Sequence, residues 1–326
     1  MSVKAEVLAI LEANREEHIS GEELASRLQV SRTSIWKAIK ALREEGYEIE
    51  AANNRGYCLP QTNDLLNEEG ISLYLNERAS GYPLEVYKIL DSTNTECKRR
   101  VIDGAPHGLT ILAEEQTGGK GRLGRNFYSP AKTGIYMSIL VHPAFDGNDA
   151  MLLTTAASVA VCRGIKEVLH KETQIKWVND IYVDQKKVCG ILCEACTDFS
   201  SHTLKYAVIG IGINIFSPKG GFPQELAQIA GALINKEPQQ DTIATFASEL
   251  LHQLHTALQM PKGKILALYR TYSMLIGKNV IAHWNGQKIP GVVMDIADNF
   301  ELILQASDGR LLSLQSGEVT LSDFMK

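Results

Sequence analysis

A glycine-rich segment near the middle of the chain combines three cations with four glycines. It reads Gly118-Gly-Lys-Gly-Arg-Leu-Gly-Arg125, and its cations are Lys120, Arg122 and Arg125. Glycines allow backbone N–H groups to approach an anion closely, and the cations neutralise the charge of that anion. The pattern favours binding of a phosphate or a carboxylate, with a flexible solvent-exposed loop as the alternative.

Two known nucleotide-binding motifs match this segment only in part. Gly119–Gly124 has the form GxGxxG, but it leads into Asn126-Phe-Tyr-Ser-Pro130, a poor start for the helix that a dinucleotide-binding loop requires. The P-loop pattern fails because Gly121 follows the lysine where Ser or Thr is needed. The strands predicted on either side, Leu109–Glu114 and Ile135–Val141, therefore present an anion-binding loop of another kind.

Five motifs together resemble those of biotin protein ligases. They are Asp91-Ser-Thr-Asn94, Gln116–Arg125, Lys176-Trp-Val-Asn-Asp180, Lys187-Val-Cys-Gly-Ile-Leu192 and Gly210-Ile-Gly-Ile-Asn214. They follow the family's order and spacing, and the likeness to its bifunctional form, a biotin–carboxylase ligase that is also the biotin operon repressor, extends over nearly the whole chain. In two departures, Lys120 replaces a more frequent Arg and Val178 a more frequent Pro. Lys120 keeps the charge but loses the bidentate fork of a guanidinium.

The resemblance implies a reaction in two steps, with ATP and biotin as substrates and Mg²⁺ as cofactor. The biotin carboxylate attacks the α-phosphate of ATP, which gives biotinyl-adenylate and pyrophosphate. The ε-amine of one lysine on a biotin carboxyl carrier protein of acetyl-CoA carboxylase, or on another biotin-accepting domain, then attacks this anhydride and releases AMP. Because the adenylate hydrolyses readily, we expect the glycine-rich loop to act as a lid that excludes water.

Joining two anions requires positive charge at the reacting phosphorus, for which Lys187 with Arg122 and Lys120 is the best candidate. The candidate catalytic residues are Lys187, Arg122 and Asp180, and Asp180 is also the candidate Mg²⁺ ligand. By resemblance, biotin is held by Ser92, Thr93, Asn94, Gln116, Lys120, Gly121, Arg122 and Lys187, and the nucleotide by Arg122, Arg125, Trp177, Asn179 and Asn214. Structural roles stay open, since Ser92 could cap a helix, Trp177 could fill the core and Lys187 could be an exposed strand-end lysine.

The first 60 or so residues predict a winged helix-turn-helix unit. A capping box opens the second helix, and a glycine stop ends the third. The predicted elements are the capping box Ser20–Glu23, the helices Gly21–Leu28 and Arg32–Glu45, the stop at Gly46, and two wing strands, Tyr47–Ala51 and Gly56–Leu59, around a turn at Asn53-Asn54.

Basic charge is concentrated on the turn and the third helix of this unit. The stretch from Leu24 to Arg43 holds five basic residues and no acidic one. This favours DNA binding over the two alternatives, a solvated charged face and a surface for protein contacts. Because one copy carries few cations, we expect two copies on a symmetric operator, with half-sites spaced in multiples of about 34 Å. The resemblance further implies that this homodimer is ligand-dependent. The candidate DNA-binding residues are Arg32, Thr33, Ser34, Lys37, Lys40 and Arg55.

The fold class predicted for the 326 residues is α+β with several domains. Residues 1–62 form the winged helix-turn-helix domain. Residues 63–272 form the biotin- and ATP-binding catalytic domain, where interleaved strands and helices predict a mixed sheet backed by helices. Residues 273–326 form a small SH3-like β-barrel, because turn signals recur there at 8–12-residue spacing.

Composition limits the class of protein. With 44% hydrophobic and 22% charged residues, the chain can bury a core and is not wholly disordered. No apolar run approaches the roughly 20 residues that span a bilayer, and Met1–Glu12 lacks the features of a signal peptide. Six cysteines are too few for a disulfide scaffold. We therefore expect a cytoplasmic protein without membrane contact, whose net charge of −5 confines DNA binding to a local basic surface.

Three alternative functions stay open. Cys189-x3-Cys193-x2-Cys196 has the spacing that radical enzymes use for an iron–sulfur cluster. The strand-like alternation of Val188–Glu194, however, places Cys189 and Cys193 on one face and Cys196 on the other, which favours buried thiols. A lipoate or octanoate ligase of the same catalytic fold and a non-catalytic metabolite-sensing regulator are the other two.

Overall fold

The computed structural model describes residues 2–52, 55–61, 65–75, 81–142, 150–197, 204–235, 242–284 and 286–321. The chain divides into two compact units, residues 1–80 with 236–249 and residues 81–235 with 250–326. The domain boundary expected at residue 62 and the wing turn at Asn53-Asn54 lie outside the described residues. None of the described helices is long and apolar enough to cross a membrane.

The described part of residues 1–80, in the first unit, holds four helices and a short hairpin. Ser20 Oγ accepts a hydrogen bond from Glu23 N at 3.0 Å, as the capping box predicts, and Gly46 has the positive φ of a glycine stop, +103°. Its elements are α1 (Val3–Ala13), α2 (Gly21–Leu28), α3 (Arg32–Glu44), β1 (Glu50–Ala52), β2 (Gly56–Cys58) and α4 (Glu68–Tyr74).

The first wing strand is shorter than predicted. It starts at Glu50 instead of Tyr47, because Tyr47 and Ile49 are buried in the helical core of the unit, where they pack with the apolar face of α3. That face consists of Ile35, Ala38, Ile39 and Leu42. Burial of this stripe turns the opposite side of α3 toward solvent.

The second unit contains a seven-stranded mixed sheet in the order β3-β4-β5-β9-β8-β7-β6. Only β3 and β4 pair in parallel, and the other neighbours are antiparallel. Helices α5 and α6 pack against the sheet, so the mixed sheet backed by helices is confirmed. The elements are β3 (Leu84–Leu90), α5 (Thr93–Ile102), β4 (Thr110–Gln116), β5 (Gly134–Val141), α6 (Ala150–Leu169), β6 (Gln174–Lys176), β7 (Asp180–Val183), β8 (Lys186–Thr197), β9 (Leu204–Asn214), α7 (Thr242–Leu258) and α8 (Lys262–Tyr272). The first eight residues of α7, 242–249, belong to the first unit.

A second, antiparallel sheet of five strands follows α8, in the order β13-β12-β11-β10-β14. Helix α8 ends at Tyr272, because Ser273 pairs with Ile175 of β6 and Met274 N donates to Ile175 O at 3.0 Å. The strands are β10 (Asn279–Trp284), β11 (Gln287–Ile296), β12 (Leu302–Ala306), β13 (Leu311–Leu314) and β14 (Glu318–Leu321).

Candidate ligand-binding cleft and DNA-binding face

The glycine-rich loop between β4 and β5 is closed by its own backbone hydrogen bonds. Phe127 N donates to Gly119 O at 2.9 Å, and Gly121 N donates to Arg125 O at 2.7 Å. The tip is a 3₁₀ turn over Arg122–Gly124. In this conformation the N–H of Gly121, expected to face biotin, is used inside the loop.

Each of the three loop cations reaches a partner far away in the chain. The partners lie at the start of α5, just before β7 and at the start of β14, so the loop is tied to three separate elements. The pairs are Lys120 Nζ to Thr95 Oγ1 at 2.8 Å, Arg122 Nη1 to Asn179 Oδ1 at 2.8 Å and Arg125 Nη2 to Glu318 Oε1 at 2.5 Å.

All residues that the sequence assigns to catalysis, biotin or nucleotide line one cleft of about 720 Å³ beneath this loop. Thirteen positions spread over more than 120 residues of sequence are thereby brought together. They are Ser92, Thr93, Asn94, Gln116, Lys120, Gly121, Arg122, Arg125, Trp177, Asn179, Asp180, Lys187 and Asn214.

The lining of the cleft carries a surplus of cations. Lys187 Nζ lies 2.8 Å from Asp180 Oδ1, and both side chains are about a quarter exposed. Lys176 also lines the cleft, and burial lowers the pKa of its ammonium. Among the described lining residues there are five cations and only two carboxylates, Asp180 and Glu318. This surplus attracts a polyanion or two separate anions.

Short polar side chains from α5, β4 and β5 form a hydrogen-bonded network at the cleft. Ser92 caps α5, and its Oγ accepts from Thr95 N at 3.5 Å, so the helix-cap alternative holds for a residue that also lines the cleft. Gln116 Oε1 accepts from Thr93 N at 2.9 Å, and Ser138 Oγ lies 2.7 Å from Thr93 Oγ1. Such a fixed set of donors and acceptors suits a small polar ring.

The first unit presents the exposed side of α3. Ser31 caps the helix, and its Oγ lies 2.9 Å from Ser34 Oγ, so the Ser34 hydroxyl takes part in the cap. Arg32 pairs with Glu22 of α2 at 2.5 Å on an open surface. The other candidates for DNA contact, Thr33, Lys37, Lys40 and Arg55, are exposed.

Sequence reasoning overlooked Trp36, which lies on the same exposed side of α3. Its side chain is 55% exposed, and Lys40 Nζ lies 5.7 Å from the centroid of its ring. Helical spacing places Trp36 beside Lys37 and Lys40, away from the buried positions, and this could have indicated it.

Comparison with known proteins places this architecture in a family. A model of the biotin/lipoate A/B protein ligase family matches residues 86–214, and a helix-turn-helix domain model matches residues 4–58. The bifunctional ligase/repressor BirA of Bacillus subtilis strain 168 is 31% identical over 98% of this chain and 99% of its own length. The chain belongs to the biotin protein ligase family. The BirA of Escherichia coli K12 is 28% identical over 98% of this chain and 97% of the relative.

The fold also matches that of a solved biotin protein ligase. The enzyme from Aquifex aeolicus, in complex with biotin and ATP, aligns with a TM-score of 0.62 and 24% identity. The alignment covers 73% of this chain and 98% of that one. At this identity the likeness concerns the fold.

Four residues that line or support the cleft of this biotin protein ligase were not expected from the sequence: Phe127, Ser138, Lys176 and Glu194. The ring of Phe127 lies over Gly212, where a Cβ atom would come within 2.5 Å of it, and over its cross-strand partner Gly190. Glycines inside predicted strands indicate such a close approach.

Two of the nucleotide candidates have roles within the fold. The indole of Trp177 is 4% exposed, and its Nε1 donates to Phe300 O at 3.0 Å, as the core-filling alternative describes. Asn214 Nδ2 donates to Gly231 O at 3.0 Å at the end of β9. Their contact with a nucleotide stays a prediction.

The carboxylates of the cleft bear on Mg²⁺, which the family implies. Asp180 and Glu318 are each paired with a cation. Over the described ranges, no group of three or more His, Cys, Asp or Glu side chains is placed to hold a metal ion. The assignment of Asp180 as an Mg²⁺ ligand stays a prediction.

The three cysteines with cluster-like spacing lie on the continuous strand β8. Cys189 is buried, and burial raises the pKa of its thiol well above the ordinary value. Burial also raises the pKa of Cys193 to about 12. Because successive residues of a strand point to opposite faces, Cys196 does not converge with the other two.

Proposed function

We propose that this protein is a biotin–[acetyl-CoA-carboxylase] ligase and a biotin-responsive transcriptional repressor. As a ligase it forms biotinyl-AMP from biotin and ATP, and then transfers biotin to one lysine of a biotin carboxyl carrier protein. The observation that carries the proposal is the single cleft, in which a polar network and a cluster of cations lie under one glycine-rich loop.

The polar side chains and the cations of the cleft are assigned to different parts of the substrates. Ser92, Thr93, Asn94 and Gln116 hold the ureido ring of biotin, whose N–H and C=O groups require several hydrogen bonds. Lys187 and Arg122 neutralise the biotin carboxylate and the α-phosphate and so allow two anions to approach. Arg125, Asn179, Asn214 and Trp177 are assigned to the nucleotide.

The second step requires a neutral amine on the acceptor lysine. An unperturbed lysine has a pKa near 10.4, so only about 0.04% of it is neutral at pH 7. Asp180 is the candidate group to assist deprotonation, because it lies in the cleft at 2.8 Å from Lys187. Asp180 is also the candidate ligand for an Mg²⁺ ion that accompanies the ATP phosphates.

Several finer features belong to the same proposal. The domains are residues 1–62, 63–272 and 273–326, and the five-stranded C-terminal sheet is a small SH3-like barrel. The protein acts in the cytoplasm. With adenylate bound it forms a homodimer that places two copies of α3 on an inverted repeat of operator DNA. The exposed basic side of α3 supports this second activity.

Pyrophosphate release tests the ligase function. The full-length protein is supplied with ATP and, in separate reactions, with biotin, lipoate or octanoate, and a carrier domain is then analysed by mass spectrometry. We expect release with biotin alone and a biotin-sized mass increase on one lysine. Release with lipoate or octanoate instead would identify a lipoate-type ligase, and binding of biotin without any release would identify a non-catalytic regulator.

A further inference from the structure

The side-chain amide of Asn94 is hydrogen-bonded at both ends inside the protein. Its Nδ2 donates to Glu194 Oε2 at 2.8 Å and to the backbone oxygen of Leu192 at 3.3 Å. Its Oδ1 accepts from Ser138 Oγ at 2.6 Å. Asn94 is only 4% exposed, and a side chain on Gly210 would collide with its Oδ1, so the amide fits closely between its neighbours.

These contacts leave the amide of Asn94 able to accept a further hydrogen bond but not to donate one. An amide nitrogen has two hydrogens, and both are taken, whereas the amide oxygen has two lone pairs and only one accepts from Ser138. An ionised carboxylate only accepts, so Glu194 requires that Nδ2 and not Oδ1 faces it. Asn94 therefore presents an acceptor to the cleft.

The carboxylate of Glu194 is held in place by Lys98 as well as by Asn94. Its Oε1 pairs with Lys98 Nζ at 2.5 Å, so each carboxylate oxygen has one donor. Burial alone would raise the pKa of Glu194, but the hydrogen bonds from Lys98 and Asn94 lower it below its ordinary value. Glu194 is thus a carboxylate at neutral pH, and it does not belong to the described residues that line the cleft.

We propose that Glu194 is a positioning residue that fixes the amide of Asn94, so that the biotin site selects a ring with an N–H donor. The inference rests on the proposed function, because the ring N–H is that of the biotin ureido group. The dithiolane ring of lipoate has no donor to place there. Selectivity between biotin and lipoate would then depend on Glu194, a residue that does not itself touch the ligand.

Glu194→Gln tests this proposal. The glutamine has one acceptor oxygen, for which Lys98 and Asn94 compete, so the amide of Asn94 is no longer held in one orientation. Calorimetric titration with biotin should show affinity about tenfold weaker, the size expected for one hydrogen bond to a buried amide. The control, Glu172→Gln, breaks a Lys166–Glu172 pair of similar type in an exposed position and should bind like wild type.

Biotin derivatives methylated at either ureido nitrogen separate positioning from structural support. In wild type, one derivative loses the bond to Asn94, and the preference for biotin over that derivative should fall about tenfold in Glu194→Gln. Thermal unfolding verifies that the variant is folded.

Two results would overturn the proposal. One is unchanged affinity of Glu194→Gln for biotin. The other is an equal loss of affinity for biotin and both methylated derivatives, which would show a merely structural role. Failure of wild type to bind biotin would contradict the proposed function and this inference with it.

Discussion

The cleft and the exposed side of α3 are both rich in cations, but they hold those cations differently. In the cleft, Arg122 and Lys187 are each bonded to a residue on another element. On α3, Arg32 pairs with Glu22 where both side chains are at least two-thirds exposed, and Lys37 makes no ion pair within the described residues. Arg122 and Lys187 are held in partly buried contacts, whereas the cations of α3 lie in solvent, where an ion pair restrains a side chain little.

This difference matches the ligand that each surface is proposed to bind. A small molecule that must react in one orientation gains from charges placed in advance, since no energy is spent on arranging them during the reaction. DNA is a long polyanion, and its affinity comes from the number of phosphates neutralised and the counterions released. Single substitutions should therefore have large effects in the cleft and small effects on α3.

The largest effect is expected from Lys187→Met, which removes a fixed charge beside Asp180. The rate of pyrophosphate release with biotin and ATP should fall about 10²–10³-fold. Lys205→Met, which changes an exposed lysine of the same sheet, is the control and should leave the rate unchanged. If Lys187→Met reacted as fast as wild type, the contrast between the two surfaces would lose its main support.

Arg122→Gly tests whether the loop retains the reactive adenylate. The substitution removes the bond to Asn179 that ties the loop across the cleft, so the adenylate should escape into solvent. Biotin transfer to an unrelated lysine-rich protein should rise severalfold, as measured by blotting for biotin. Arg310→Gly, in an exposed turn, is the matched control. Unchanged selectivity for the carrier domain would count against a lid.

Lys37→Ala should have a smaller effect, on DNA binding alone. Removing the Lys37 ammonium should reduce the affinity for operator DNA only a few-fold. It should also lower the slope of log affinity against log salt by about 1. Fluorescence anisotropy at several salt concentrations measures both, with Lys205→Ala as control. A loss as large as that expected for Lys187 would mean that α3 is organised like the cleft.

The smallest effect is expected on the free energy of unfolding, from the ion pairs of α5 beside the cleft and of α2 with α3. Arg100 and Arg99 hold the pKa of Glu96 below its usual range, so this carboxylate stabilises α5 above the ordinary pKa of about 4.3 and loses the effect as pH falls through the lowered value. Glu96→Gln should cost about 1 kcal/mol of unfolding free energy at pH 7 and less below pH 4. Glu22→Gln, on the exposed pair of α2 and α3, should show no measurable cost at either pH. Equal costs, measured by urea unfolding, would contradict the contrast.

The helical part of the first unit was predictable because its signals are local. The cap at Ser20, the stop at Gly46 and the apolar stripe of α3 all act within a few residues of one another. The first wing strand was predicted too long, because burial of Tyr47 and Ile49 in the core is a tertiary effect. The candidate DNA-binding residues are consecutive or nearly so, and helical spacing alone brings them to one side.

The cleft was predictable as a set of residues but not as a geometry. The motifs from Asp91 to Asn214 identify the polar and cationic groups, since the chemistry of biotin and ATP demands those residue types. Their partners are distant: Asn179 for Arg122, and Glu194 for Asn94. No local pattern indicates that Glu194 lies behind Asn94, because the pairing of β8 with β9 brings it there.

The amino-acid sequence by itself determined the family, the helices of the first unit and the inventory of charges available for binding. Only the tertiary structure decided which hydrogen-bonding atoms of Asn94 already have partners, and which cations are held in partly buried contacts and which lie in solvent. It also decided that Trp177 lies in the core. The physical reason is that propensity and periodicity act between neighbours along the chain. Hydrogen-bond saturation and burial depend instead on residues that the sheet brings together from almost 100 positions apart.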